Sequence, residues 1–258
     1  MFIRKLLLGI LSFEKYLQFI SYIFLKTYLF KFFLKEHYQV RFLSKLLKQD
    51  DYCIDIGANL GYFSIPLSRI VGNRGKVWSV EPVAIFRKVL EQNIKRFSLG
   101  NITVFPFALG AEDGKEILMG TPNVDGVIRH GRTEVLENNQ TEMAEVHTAI
   151  MRKPKSLFGD LEKINFIKCD VEGYEIHIIP ELLGIIEKFR PILEIEIDPL
   201  ENKKEIIKKM LPLSYEVFIM RNGMLNSYTI DNTLFIDEIE LYFIPKEKIK
   251  SFSSLIVN

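Results

Sequence analysis

Two acidic residues, each closing a short apolar run, are the side chains of this 258-residue sequence best placed to do chemistry. One closes Tyr52–Ile56 within Asp55-Ile56-Gly57-Ala58-Asn59-Leu60-Gly61-Tyr62-Phe63; the other ends Val77-Trp78-Ser79-Val80-Glu81-Pro82. A run that is short, apolar and stopped by glycine reads as a strand buried on both faces of a parallel sheet. Gly57 and Gly61 permit a tight turn and a close approach to a ligand, and Tyr62–Ile70 has helical spacing, so main-chain N–H groups should face that ligand. Asp55 is then placed to meet an ammonium group. Glu81 can accept hydrogen bonds from both hydroxyls of a ribose.

The spacing separates two cofactors. A dinucleotide loop starting at Gly57 would need glycine where Asn59 and Tyr62 stand. The acid-x-Gly-x-x-x-Gly pattern from Asp55 to Gly61 fits S-adenosylmethionine better. Asp55, Gly57, Ala58, Asn59, Gly61, Tyr62, Glu81, Pro82, Phe107 and Ala108 are the expected cofactor-binding set.

Strand and helix patterns alternate from Asp51 onward, which argues for a parallel α/β sheet with crossover helices. Strands are expected at Tyr52–Ile56, Lys76–Glu81, Ile102–Phe107, Ile164–Cys169 and Ile192–Ile197. Helices are expected at Tyr62–Ile70, Ala84–Arg96 and Tyr174–Phe189, the last broken near Pro180. Tyr215–Met220, the Arg221-Asn222-Gly223 turn and Met224–Tyr228 read as a hairpin, followed by a strand at Glu240–Ile244. Residues 110–161 run far beyond an ordinary loop, with a short strand at Lys115–Met119 and a polar stretch holding Gly126, Arg129, His130, Gly131 and Arg132. This insertion should face the acceptor. The competing reading is a disordered excursion, given the Asn and Glu content of Glu137–Glu142.

Ligands of open α/β sheets lie at the carboxyl ends of the strands, where Asp55, Glu81, Phe107, Asp170 and Glu196 all fall. Methyl transfer needs aligned donor and acceptor, and a hydroxyl acceptor also needs a base or a metal. Asp170 and Glu172 are the leading carboxylates, with Glu175 a turn further on and His177 as an alternative base. Against this stands a structural reading in which Asp170 caps the next helix and the two glutamates occupy its first turn. Glu194 and Glu196 could join Asp170 in an oxygen-rich divalent-metal site like that of catechol-type methyltransferases, but no residue is assigned to a metal. His130 and His147 read as ordinary polar residues. Cys53 and Cys169 read as small buried hydrophobes on neighbouring strands in a reducing cytosol.

The runs Asp55–Ser64 and Val80-Glu81-Pro82, the helix with Asn93, and Ile167-Lys168-Cys169-Asp170-Val171-Glu172-Gly173-Tyr174-Glu175 together resemble the FkbM-type S-adenosylmethionine-dependent methyltransferases. The resemblance covers about Asp51–Ile197, with a continuation to Pro245. It implies a Rossmann-like class I methyltransferase sheet, mostly parallel with an antiparallel edge strand, and a hydroxyl on a glycan or secondary metabolite as acceptor. Asn59 in Gly-Ala-Asn is usual in that family. Where its members carry Thr-Leu-Asp, this chain has His147-Thr148-Ala149-Ile150, so no role for that acid carries over.

With 34 basic and 33 acidic residues the chain lacks the cationic excess of a nucleic-acid binder. Residues 1–48 form an apolar, basic segment of one or two helices, and residues 49–258 the catalytic domain. Arg4, Lys5, Glu14, Lys15, Lys26 and Lys31 interrupt the first segment too often for it to span a bilayer, and no small-residue cleavage site marks a signal peptide. It should be a cap on the domain, a homo-oligomer face, or an interfacial helix at the inner membrane surface of a cytoplasmic enzyme. A nicotinamide-dependent oxidoreductase and a non-catalytic cofactor-binding or membrane-scaffold protein are the alternative classes.

Overall fold

Period-two burial in the strands sorts the core onto two faces of one sheet. The computed structural model describes residues 2–29, 37–124, 127–136, 143–231, 235 and 237–257; Lys31, Gly126, Glu137–Glu142 and the side chain of Lys5 lie outside that description. The parallel strands are β1 (Tyr52–Ile56), β2 (Lys76–Val80), β3 (Ile102–Phe105), β9 (Phe166–Cys169) and β10 (Ile192–Glu196). Ile54, Ile56, Ile167, Cys169, Leu193 and Ile195 face one way. They pack on α6 (Pro154–Phe158), α7 (Glu175–Phe189) and α8 (Leu200–Met210). Cys53, Val77, Phe166 and Ile192 face the other way, toward α3 (Tyr38–Leu46) and α4 (Ser64–Val71). Both cysteines are free and buried; Cys53 is in register with Phe166, and Cys169 with Ile56, so the thiols are offset along the adjacent strands.

The sheet is completed by β11 (Tyr215–Arg221), β12 (Met224–Ser227) and β13 (Glu240–Pro245), in the order β12-β11-β13-β10-β9-β1-β2-β3. The antiparallel edge is therefore three strands deep. Strand order reverses between β1 and β9, which opens a crevice at their carboxyl ends. α7 is one continuous helix through Pro180. Proline removes a single bond near the helix start, and burial of Ile178, Ile179, Leu182, Ile185 and Ile186 holds the turns on either side together.

Residues 107–152 build a second sheet. β4 (Phe107–Leu109) and β5 (Glu116–Val124) flank β8 (Met143–Arg152), and β6 (Val127–Ile128) and β7 (Glu134–Val135) pair with β5. α1 (Phe2–Ile10) and α2 (Phe13–Leu29) share a core with this sheet and with α5 (Ala84–Arg96): Tyr16 and Leu17 are buried together with Phe86, Val89, Met119 and Met151. Asn93 Nδ2 of α5 donates to Ser21 Oγ and to the Leu60 carbonyl, both at 3.0 Å, and Lys88 pairs with Glu14 at 2.7 Å. The first two helices thus pack on α5 and on the second sheet. No described helix is long and apolar enough to cross a membrane.

One buried row of polar side chains crosses the sheet. Ser79, Asp55, Lys168, Glu194 and Tyr242 occupy paired positions on β2, β1, β9, β10 and β13, each at most 3% exposed. Burial raises Asp55 to about 6 and Glu194 to about 7, with Lys168 opposing both shifts, while the surrounding acids hold the Lys168 ammonium well above its ordinary range. Such charges persist only by mutual pairing.

Two predictions follow from this packing. Gly57 sits at φ +82°, and a Cβ there would come within 1.8 Å of the Asp170 carbonyl oxygen, whereas one on Gly100 would meet nothing within 4 Å. Gly57→Ala should cost about 2–4 kcal/mol in chemical denaturation and Gly100→Ala less than about 0.5; equal costs would refute the contact. Stability should also fall between pH 6.5 and 8.5. Burial raises Glu175 and Glu194 to about 7 and Glu240 to about 8, so the native state holds protons that the unfolded chain releases near 4.5. The half-buried His130 and His147, which act in the opposite sense, no longer oppose this above their ordinary value of 6.5. A denaturation midpoint that rises over this interval would contradict the ionisation of this cluster.

Candidate active site

The crevice at the β1/β9 switch is an open-mouthed cleft lined by the turn after β1, the end of β2, the turn after β9 and the insertion. Its floor is the turn after β1. Gly57 and Ala58 both donate their N–H to the Val80 carbonyl (3.1 and 3.0 Å), and Gly61 donates to Ala58 at 2.8 Å. These three amides are used to close the turn. Both glycines serve packing. A Cβ on Gly61 would come within 2.7 Å of Leu90 Cδ1, as one on Gly57 would strike Asp170.

Glu81 is the polar centre of this wall. Its Oε2 accepts from the Asn59 N–H at 2.7 Å and its Oε1 from the Val83 N–H at 2.8 Å. Burial pushes the carboxyl up to about 7 in spite of those two bonds. Each carboxylate oxygen keeps acceptor capacity for a further donor. Arg87 fixes the following turn by donating to the Glu81 and Pro82 carbonyls. Asn59 is in the left-handed region (φ +47°), which asparagine tolerates. Its Nδ2 reaches the His130 carbonyl at 2.9 Å, and its Oδ1 is buried without a hydrogen-bond partner.

The opposite wall follows β9. Asp170 Oδ2 lies 3.0 Å from Lys168 Nζ, and the ammonium also sits 4.2 Å from the Phe63 ring centroid. Glu172 takes φ +53°, followed by Gly173 at +95°, a turn that turns the chain toward α7. Glu175 stitches that turn: its Oε1 accepts from the Val171 and Gly173 N–H groups at 2.9 and 3.3 Å. Asp170 is no helix cap, since Tyr174 occupies the N-cap position of α7. Glu172 is surface-exposed but crowded. Burial of its carboxyl first, then Asp170, Glu196 and Glu175, raise it to about 8.

The insertion supplies the third wall through Met119, His130, Gly131, Thr133 and Val135. Thr133 Oγ1 bonds Thr121 Oγ1 at 2.8 Å and the His130 carbonyl at 3.2 Å, tying the segment to β5. Burial, then Arg4 and Arg129, lower His130 to about 4, so its imidazole is a neutral wall.

Of the residues singled out from the sequence, Gly57, Ala58, Asn59, Tyr62, Glu81, Pro82, Phe107, Ala108, Asp170 and Glu172 line this one cleft. Asp55, Gly61 and His177 do not. The Asp55 carboxylate is turned beneath the floor, where Ser64 Oγ donates to it at 2.5 Å and itself contacts Ser79 Oγ at 2.7 Å. His177 is exposed one turn into α7 and stacks on Tyr174 at 4.5 Å. Sequence reasoning missed Val83, Phe86 and Tyr174, whereas the insertion, expected to face the acceptor, does line the cleft through His130 and Gly131. Sequence reasoning also missed Lys168, whose charge inside an apolar strand was the available signal. Glu194 belongs to the buried polar row, Glu196 is half-buried in register with Glu240, and among the described residues no group of three His, Cys, Asp or Glu side chains is arranged to hold a metal ion.

Comparison with known proteins agrees with this geometry. The model of the methyltransferase FkbM domain matches residues 55–222. The crystal structure of methyltransferase FkbM from Methylobacillus flagellatus superposes with a TM-score of 0.54 at 20% identity, covering 80% of this chain and 47% of that one, a likeness of fold. Two curated relatives match in part. The AMB antimetabolite synthetase AmbE of Pseudomonas aeruginosa is 27% identical over 171 residues, 54% of this chain and 8% of its own length. The protein-L-isoaspartate O-methyltransferase of Thermosipho melanesiensis is 36% identical over 70 residues, 27% of this chain and 33% of its own length. The chain thus spans a third or less of the length of these relatives. The family match sets aside the nicotinamide-dependent alternative. With a domain model matched from Asp55 to Asn222 and a class I sheet around the cleft, the chain belongs to the FkbM family of S-adenosylmethionine-dependent methyltransferases.

Proposed function

We propose that this methyltransferase acts on a hydroxyl oxygen of a small molecule or saccharide, with Glu172 as the base and Glu81 as the main grip on the cofactor. The observation that carries the reading is that Glu81 and Glu172 line one cleft, on opposite sides of the β1/β9 switch. S-adenosylmethionine supplies an electrophilic methyl on a sulfonium whose positive charge disappears on transfer. The cleft suits its nucleoside: Glu81 offers acceptor sites for ribose hydroxyls, the unpartnered Asn59 Oδ1 offers another, and Pro82, Val83 and Phe107 supply apolar walls. Asp55 acts from below, by holding Ser64 and the start of α4.

The chain's own residues then have distinct tasks. Glu172, with its carboxyl raised to about 8, takes the acceptor's hydroxyl proton as the oxygen attacks, and it is held toward the cleft by a backbone conformation that glutamate rarely adopts. Asp170, fixed by Lys168, orients the acceptor through hydrogen bonds. The insertion excludes water and selects the acceptor.

Calorimetry and isotope transfer test these assignments. Glu81→Ala should weaken S-adenosylmethionine binding at least tenfold, about 1.4 kcal/mol, and Asp55→Ala should weaken it less. Unlabelled cofactor added to a cell extract should yield a methyl ether 14 Da heavier than its precursor, the mass of one CH₂, and methyl-labelled cofactor should carry its label into that same product. Glu172→Gln should lower kcat by about 10²–10⁴-fold with cofactor affinity retained. The wild-type rate should rise with pH to a plateau above about 8, because the base must be ionised. Label found on nitrogen or carbon, or a Glu172→Gln enzyme as fast as wild type, would overturn the reading.

A further inference from the structure

Among the described residues, α2 packs on the rest of the chain along one face and leaves the opposite face to solvent. On α2 the inner residues Tyr16, Leu17, Ser21 and Leu25 are buried. Lys15, Phe19, Ile23 and Lys26, spaced by four, four and three residues, form the opposite stripe, with Phe19 and Ile23 46% and 44% exposed. α1 repeats the pattern with Leu6 and Ile10, 52% and 72% exposed, beside the exposed Arg4. The only acid of the two helices, Glu14, is taken up by Lys88 of α5.

Charge is divided along the chain in the same sense. Residues 1–48 contain nine Lys or Arg and two acids, which leaves 25 basic and 31 acidic residues in the rest. The near-neutral total therefore conceals a cationic amino-terminal segment, within which α1 and α2 carry Arg4, Lys5, Lys15 and Lys26 against Glu14 alone. Exposed bulky apolar side chains with lysines at both ends of the stripe match a surface whose outer layer is anionic and whose interior is hydrocarbon, and lysine stems can lie along such a surface with their ammonium groups at the phosphates. A helix packed on its own domain along one face can lie in that interface without crossing it.

We propose that the outer face of α1 and α2 docks this enzyme on an anionic lipid bilayer, with Phe19 and Ile23 entering the headgroup layer and Lys15 and Lys26 meeting lipid phosphates. This goes beyond the reaction and does not depend on the acceptor. Co-sedimentation of the full chain with vesicles of phosphatidylcholine containing phosphatidylglycerol, against phosphatidylcholine alone, tests it. Binding should require the anionic lipid and fall as salt rises from about 0.1 to 1 M, where screening shortens from about 10 to 3 Å. Phe19→Glu with Ile23→Glu, and separately Lys15→Glu with Lys26→Glu, should each reduce partitioning at least tenfold, with circular dichroism unchanged. Leu211→Glu, at a 60% exposed leucine outside these two helices, should not change it. Absence of partitioning, equal binding to neutral vesicles, or full binding by the double variants would overturn the proposal. So would a dimer in light scattering that Phe19→Glu with Ile23→Glu converts to monomer, since the face would then belong to a second copy.

Discussion

The site depends on how closely two strand ends approach one another. Gly57 at the end of β1 lies against the Asp170 carbonyl at the end of β9, closer than any side-chain-bearing residue permits. The Asp170 N–H in turn bonds the Ile56 carbonyl at 3.1 Å. That contact brings two walls with different tasks into one cleft: Glu81, fixed by the loop after β1, and the Asp170–Glu172 turn at the start of the next crossover. A Cβ at position 57 would push the walls apart, and the glycine is explained by this meeting of strands better than by room for a ligand.

Below that contact the sheet carries a cost that the site makes intelligible. Lys168 stands between Asp55 and Glu194 in register, with Asp170 at 3.0 Å. Replacing such a lysine would leave buried carboxylates uncompensated, a loss of about 3–5 kcal/mol in comparable pairs. An apolar row would be at least as stable. The arrangement instead holds Asp170 in one orientation at the mouth of the cleft, and it keeps several carboxyls near the point of ionisation at neutral pH. The first two helices contribute from the other side, since Asn93 ties α2 to the Leu60 carbonyl of the loop after β1.

Much of this was legible in the sequence, and the exceptions have physical causes. β1 and α5 fall on the expected residues because one is bounded by charge and glycine and the other follows a proline-marked turn. β8 escaped because its alternation is blurred: Val146 and Ile150 are exposed, while the small Ala149 is buried. α8 escaped because only Lys203, Ile206 and Met210 are buried in a lysine-rich helix. Asp55 was read correctly as the acid closing a strand, yet a sequence does not say that Ser64 and Ser79 will claim its carboxylate. The insertion's sheet was hidden for a related reason, as its strands pair with one another and with a short strand at Phe107 across long sequence separations.

The most direct test of the central claim is a crystal structure of the chain with S-adenosylhomocysteine. The account predicts the ribose hydroxyls on Glu81, the sulfur facing the Asp170–Glu172 turn, and the Asp55 carboxylate still bound to Ser64. A nucleoside lying outside the β1/β9 crevice, or a Glu81 carboxylate turned away from it, would contradict the account.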